Sequence, residues 1–337
     1  MRAIVYSHGS DSGFDLVERP VPEPGPGEVR VKIMVSGVNP TDWKARQRVT
    51  EPDGEIVPNQ DGAGIIDALG SDVTDRAVGQ HVWIWEAAYQ RTDGTAQEYI
   101  TVPSQQAVPL PEKVTFELGA SIPIPAMTAH RALTAADGGP DRIAPGTLDG
   151  RTVLVAGGAG AVGNAAIQLA RWAGATVVTT VSSPEKAHLA TAAGAHHTVN
   201  YRTEDAAEAV RRAAPDGVDI VAEVAPAVNA GLDGAIIAPN GVVAAYSTDG
   251  GAEVVLPIRT FFVPNCRWQF VLVYTMPDAA KEGAIADVTA AVTAGALRAG
   301  EEAGLPLHHF RLADTAKAHA AVEDHIIGKV LISVSQT

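Results

Sequence analysis

Hydrophobic and polar positions along this chain follow two periods, one in each part of its length. Up to about residue 110 the apolar residues come in short β-branched or alternating runs, "RAIVY", "EVRVKIMVSGV", "GAGIIDALG", "QHVWIW" and "AQEYITVP", parted by Gly, Pro and Asp. Residues two apart share a strand face, so the pattern predicts a compact, barrel-like domain of antiparallel strands. "VPEPGPGE" reads as a polar turn between two of them. Near residue 116 the texture changes. Thr115 is a helix-start signal before the alanine-rich "FELGASIPIPAMTAHRALTAA", and the Gly/Pro loop "DGGPDRIAPGTLDG" leads on into a second domain.

From 151 to about 247 strand and helix patterns alternate. "TVLVAG" predicts a strand, 160–173 a helix, "TVVTTV" a strand, 184–193 a helix, "HTV" a short strand, 204–214 a helix, "VDIVAEV" a strand, 228–237 a helix and "GVVAAYS" a strand. Strands joined by helices of this length pair in parallel through right-handed crossovers, which gives a doubly wound α/β sheet. Beyond it come a strand candidate in "RWQFVLVY", a helix over 277–297, a strand over 305–312, a helix over 314–326 and a closing strand in "KVLISV" that returns to the N-terminal domain.

Length and composition narrow the class. A chain of 337 residues exceeds one ordinary hydrophobic core, so two domains are expected, and no apolar run approaches the roughly 20 residues of a membrane span. Net charge is −14 with no basic run, which disfavours a phosphate backbone as partner. Cys266 is the single cysteine and fits a reducing compartment; with no signal-like N-terminus the expected location is the cytoplasm.

Candidate chemistry begins at "GAGAVG", where Gly158, Ala159, Gly160, Ala161, Val162 and Gly163 stand between a predicted strand and a predicted helix. The first glycine is expected to allow a tight turn, the second a close approach of a pyrophosphate, and the third close helix–strand packing. Apolar Ala166, Leu169, Ala170 and Ala173 support the helix, and Gly174 stops it. An NAD-selective site carries a carboxylate at the end of the second strand; this chain has Ser182, Ser183 and Lys186 there, donors and a positive charge suited to a 2′-phosphate. Glu185, two residues after a Ser183 N-cap, can point to solvent and favour the helix start. NADPH is therefore the expected cofactor, against the alternative of a simple cap and a surface lysine.

The blocks "GVNPTDWKAR", "QDGAGIIDALGSDVTDRAVGQHVW", "GTAQEYITVP", "IPAMTAHRAL", "VLVAGGAGAVGNAAIQLA", "GAHHTVNYR" and "GKVLISV" resemble, in order and spacing, the medium-chain dehydrogenase/reductase superfamily and within it the zinc-independent, zeta-crystallin-like NADPH:quinone oxidoreductases. The resemblance implies a GroES-like β-rich catalytic domain over 1–122 and 270–337, with a Rossmann NADP-binding domain over 123–269. It implies that Lys186 and Tyr201 meet the 2′-phosphate, that Asn39 and Thr128 lie near the cofactor, and that Val224, Tyr246 and Ser247 line its cleft. Relatives carry tyrosine where this chain has Lys44, next to Asp42 and Trp43. The cysteine and "GHE" block of zinc-dependent cousins are replaced by Asn39 and "QDG", with no four-cysteine lobe. The histidine pairs at 196–197 and 308–309 point to opposite faces of a strand and are poor metal ligands.

The expected activity is hydride transfer from NADPH to a quinone or related conjugated carbonyl, a small-molecule partner. Asn39 is the donor candidate, Lys44 the charge near the developing oxyanion and Asp42 its ion-pair partner, against a surface turn with a local ion pair. Two alternatives stand beside it: an enone or enoyl-thioester reductase, and an NADPH-binding redox sensor or RNA-binding protein with little turnover. A strand at 268–274 on the edge of the parallel sheet is expected to pair with its copy, giving a homodimer.

Overall fold

A computed structural model describes residues 1–6, 13–48 and 54–335. The chain opens with β1 (Arg2–Val5), β2 (Asp15–Glu18), β3 (Glu28–Val38), α1 (Pro40–Arg48), β4 (Asp61–Leu69), β5 (His81–Ile84), β6 (Tyr99–Pro103), β7 (Ala107–Pro109) and α2 (Phe116–Ser121). Then come α3 (Pro123–Leu133), β8 (Thr152–Ala156), α4 (Ala161–Trp172), β9 (Thr176–Val181), α5 (Pro184–Ala192), β10 (His197–Asn200), α6 (Ala206–Ala213), β11 (Val218–Glu223), α7 (Pro226–Ile236), β12 (Ile237–Ala245), α8 (Ile258–Phe262), β13 (Arg267–Phe270) and α9 (Asp278–Thr293). β14 (Leu307–Arg311), α10 (Thr315–Glu323) and β15 (Lys329–Ser333) close it.

Two compact units result, Met1–Ile124 with Leu307–Thr337, and Pro125–Pro306. In the first, a sheet runs β14-β15-β3-β4-β5-β7 with β6 paired to β3, while β1 and β2 form a separate hairpin. β3 shows why the alternating pattern works: Val29, Val31 and Ile33 are fully buried while Arg30 and Lys32 between them are not. The same core takes in Ile66, Val82, Ile84, Ile100, Val102, Val330 and Ile332. The segment after "GVN", allowed for as a surface turn, is instead the helix α1.

The second unit carries six parallel strands among the described residues, in the order β10-β9-β8-β11-β12-β13. Numbered within the sheet this is 3-2-1-4-5-6, the doubly wound order whose direction reverses between β8 and β11. Ala166, Leu169 and Ala170 of α4 and its C-cap Ala173 are fully buried, as their spacing predicts. The chain leaves this unit at 307 and not at 270, because the segment in between is tied to it. Asp287 of α9 accepts from the Ile143 amide at 2.7 Å and the Arg142 Nε at 2.9 Å and pairs with His130 Nε2 at 2.8 Å, while Asn164 Nδ2 and Gln168 Nε2 of α4 donate to the carbonyls of Ala303 and Arg298. Among the described residues no helix is long and apolar enough to cross a membrane.

Candidate functional site

The loop between β8 and α4 sits beside the point where the sheet order reverses. Its left-handed residue is Gly157, at φ +70°, so the tight turn expected of Gly158 is made one residue earlier. Gly158 is needed for space: a Cβ there would come 2.2 Å from Thr179 Oγ1 and 2.8 Å from Ile167 Cδ1. At Gly163 it would lie 2.5 Å from the Gly157 carbonyl oxygen, the close packing of helix on loop that the sequence implied. At Gly160 it would meet only that same oxygen at 3.5 Å, so the backbone here fronts open space that a side chain would fill. Gly160 is also the N-cap of α4 and supplies no side-chain acceptor, whereas α5 and α6 are capped by Ser183 and Asp205. The first amides of α4, including Ala161 and Val162, are thus left without a side-chain acceptor at the mouth of a cradle that fits a pyrophosphate.

At the end of β9, Ser183 takes up the start of α5: its Oγ accepts from the Lys186 amide at 3.3 Å, Pro184 follows, and Glu185 is exposed. Lys186 is half-buried in that first turn. The Tyr201 amide donates to the Val181 carbonyl at 3.2 Å, which brings the residue after β10 alongside the end of β9; its ring is exposed, as is Arg202 next to it. Ser182, Ser183, Lys186 and Tyr201 therefore gather at one strand end. Arg202 is a second cation there, and no local motif marks it.

Val224, just past β11, stands against the glycine loop, its Cγ1 3.3 Å from where a Gly157 Cβ would project. Past β12, the Tyr246 amide donates to the Glu223 carbonyl at 3.0 Å and the Ser247 hydroxyl donates to Asp249 at 3.0 Å. Burial, then the charges of Glu223 and Asp249, hold the Tyr246 phenol protonated. Tyr246 and Ser247 line an open groove of about 430 Å³ at the carboxyl ends of β12 and β13, along with Gln269, Phe270 and Arg131. Thr128 lies one turn before Arg131 in α3 and is buried.

The catalytic candidates lie in the first unit, and the structure gives them new partners. Asn39 is the N-cap of α1 and Asp42 its third residue; the Asp42 carboxylate reaches back to accept from the Asn39 amide at 2.7 Å and takes the Gln60 amide at 3.1 Å. Asp42 is thus buried in a capping role and is no ion-pair partner for Lys44, whose ammonium lies 5.5 Å over the Trp43 ring. The Asn39 carboxamide is held from both ends: Nδ2 donates to Asp61 Oδ2 at 2.6 Å, and Oδ1 accepts from Lys329 Nζ at 2.7 Å. Lys329 and Asp61 are buried to within 1% and pair at 3.3 Å. Burial pushes Asp61 up and Lys329 down, toward their neutral forms, while their mutual attraction opposes both shifts. Asp42 is pushed up to about 7, by burial first and the Asp61 charge second. Asp61 in "QDG" and Lys329 in "GKVLISV" were visible as block residues, but nothing local marks them as each other's partners.

Cys266 is half-buried, and burial pushes its thiol up to about 11, which leaves it un-ionised near neutrality.

Fold and cradle define the class: a two-domain reductase of the dinucleotide-binding kind. The alcohol dehydrogenase GroES-like domain model matches residues 25–112, and the zinc-binding dehydrogenase model residues 161–290. A 2-haloacrylate reductase of a Burkholderia species is 32% identical over 77% of this chain and 76% of its own. Human quinone oxidoreductase is 30% identical over 75% of each chain. The rat synaptic vesicle membrane protein VAT-1 homolog is 35% identical over 62% of this chain, a stretch that spans 50% of that protein, so the chain covers about half the length of this relative. Among solved structures, an NAD-dependent alcohol dehydrogenase superposes with a TM-score of 0.86 at 28% identity, covering 99% of this chain and 100% of its own. A mycobacterial protein complexed with NADPH gives 0.81 at 27% identity, again covering 99% and 100%. The chain belongs to the medium-chain dehydrogenase/reductase superfamily, in its zinc-independent quinone oxidoreductase branch.

Proposed function

We propose that this protein is an NADPH-dependent oxidoreductase that delivers a hydride to quinones or related conjugated carbonyls without zinc. The observation that carries the reading is the uncapped start of α4 behind the open space at Gly160. The choice of NADPH over NADH rests on Ser182, Ser183, Lys186 and Tyr201 at the end of β9, where the nearby acids are exposed, Glu185 at the start of α5 and Glu204, which accepts from the Asn200 amide and pairs with Arg212. The similar proteins include an NAD-dependent alcohol dehydrogenase and one complexed with NADPH, so the preference is argued from this chain's own residues. Replacing Lys186 by alanine should weaken NADPH roughly tenfold and NADH less than about twofold in calorimetric titration.

Bound in this cradle, NADPH supplies the hydride. The α4 amides would hold its pyrophosphate, and Val224, Thr128, Tyr246 and Ser247 would orient its remainder. Asn39 keeps one Nδ2 hydrogen beyond the one given to Asp61, and that hydrogen is the donor for an acceptor's developing oxyanion. Lys44 adds positive charge, and Asp42 acts only by holding the α1 start.

A second reading, reduction of an enone or other conjugated acid derivative, is favoured by the relative named for 2-haloacrylate and by Arg131, a cationic residue lining the groove at β12 and β13. Stopped-flow NADPH oxidation with a quinone panel and an enone panel separates the two. NADPH binding with turnover of neither would point to a sensing role, and absence of NADPH binding would overturn the proposal. We place the protein in the cytoplasm as a homodimer paired through β13.

A further inference from the structure

The crevice of the parallel-sheet unit holds a pair of acids that the proposed chemistry leaves unused. Glu223 ends β11 and Asp233 lies in α7, and both are fully buried. Glu223 Oε1 accepts from the Asn229 Nδ2 at 3.0 Å and from the Ala225 amide. Its Oε2 and both Asp233 oxygens have no hydrogen-bond donor among the described residues. Asn229, which donates to Glu223, stands one turn before Asp233 on α7, and this brings the two carboxyl groups together. With no donor to serve those three buried oxygens, two bare carboxylates here would repel strongly, and a proton held between them removes the repulsion.

The segment they clamp is the turn at Val224 and Ala225. Val224 packs on the glycine loop at Gly157, and the Glu223 carbonyl receives the Tyr246 amide beside the groove. The turn is thus a wall shared by loop and groove.

We propose that Glu223 and Asp233 share one proton as a carboxylate–carboxylic acid pair, and that Asp233 is a positioning residue which, through Glu223, fixes this turn against the glycine loop and sets the affinity for the dinucleotide. The link to affinity rests on the NADPH reading; the pair itself does not. Burial raises both carboxyls, Asp233 well above its ordinary value with the Glu223 charge adding to the effect. The titratable groups facing them from neighbouring elements are the Tyr246 phenol and the Cys266 thiol, with Asp249 acting on Tyr246; the phenol and thiol are raised and neutral near pH 7, so neither offers a counter-charge. The proton is therefore held on the acid side and released as pH rises through the raised Asp233 value. Affinity should be level below that value and fall above it.

The test uses the intact protein in three forms, wild type, Asp233→Asn and Asp233→Leu. In infrared spectra at pH 7, the wild type minus Asp233→Asn difference should contain the carbonyl stretch of a protonated carboxyl; Asp42 contributes to both forms and cancels. In NADPH titrations across pH, Asp233→Asn, whose amide N–H replaces the shared proton, should bind within about twofold of wild type at pH 7 and lack its alkaline loss. Asp233→Leu, which leaves Glu223 without that donor, should bind roughly tenfold more weakly. A difference spectrum without the protonated band, or wild type and Asp233→Asn losing affinity in parallel as pH rises, overturns the proposal. Should Asp233→Leu fail to fold, the band and the Asp233→Asn profile decide alone. Should wild type take up no NADPH at any pH, the NADPH reading and the affinity role fall together, and the infrared band still decides the pair.

Discussion

At the scale of single residues, a glycine serves one of three needs, and the loop after β8 separates them. Gly157 provides a left-handed backbone, Gly158 and Gly163 make room for protein atoms, and Gly160 leaves room for something that is not protein. Gly160→Ala should therefore melt within about 1 °C of wild type yet bind NADPH roughly tenfold or more weakly. Gly163→Ala, whose Cβ would press on the Gly157 carbonyl, should lose about 1–3 kcal/mol of stability, as read by denaturant titration. Asp42 carries a second residue-scale expectation. Its folded value of about 7 lies above the ordinary carboxylate range, so its protonated form favours folding at low pH and that contribution is lost as pH rises through about 7. Stability measured from pH 4 to 9 should fall more steeply in wild type than in Asp42→Asn, by up to about 1.4 kcal/mol per pH unit between about 4 and 7, and the two slopes should converge above about 8.

At the scale of elements, caps and apolar spacing were readable because their partners lie within a turn or two. Thr115 accepts from the Leu118 amide and Ser183 from that of Lys186, and the α4 core face falls where its period puts it. α1 carries the same kind of signal, asparagine, proline and an aspartate two residues on, but these residue types serve a surface turn equally well. The attachment of α9 had no such local sign, since Asp287 works on residues near 130 and 142. Burial alone would raise Asp287; bonds from His130, Arg142 and the Ile143 amide outweigh it and hold the carboxyl down at about 2. A depressed folded value stabilises above the unfolded one and is lost in acid. Asp287→Ala should cost about 3 kcal/mol at pH 7, and the deficit should shrink as pH falls toward 3, in paired denaturant titrations.

At the scale of the whole molecule, the exposed edge of the parallel sheet is the feature with the clearest consequence. β13 ends the strand order, and Val255, Ile258, Phe262, Val263, Phe270 and Leu272, on it or flanking it in the chain, are exposed apolar residues. Patches and edges of this kind are normally covered in solution. Light scattering at micromolar concentration should give the mass of a dimer, and Phe270→Asp should shift it toward the monomer; a monomeric wild type would remove the homodimer from the proposal.

The sequence by itself determined the two sheet types, the parallel alternation, the dinucleotide loop and the cationic strand end, because each is written in residues a few positions apart. Tertiary structure alone decided that Gly157 makes the turn, that the chain leaves the second unit at 307, that Glu223 and Asp233 meet, and that Lys329 grips Asn39 across 290 positions. The last follows from register. β15 pairs antiparallel with β3 so that Val330 faces Val38, and that places Lys329, the first residue of β15, beside Asn39, the residue after β3. A buried lysine gives no local pattern of its own; only the strand partner chosen by packing supplies the charge that makes its burial tolerable.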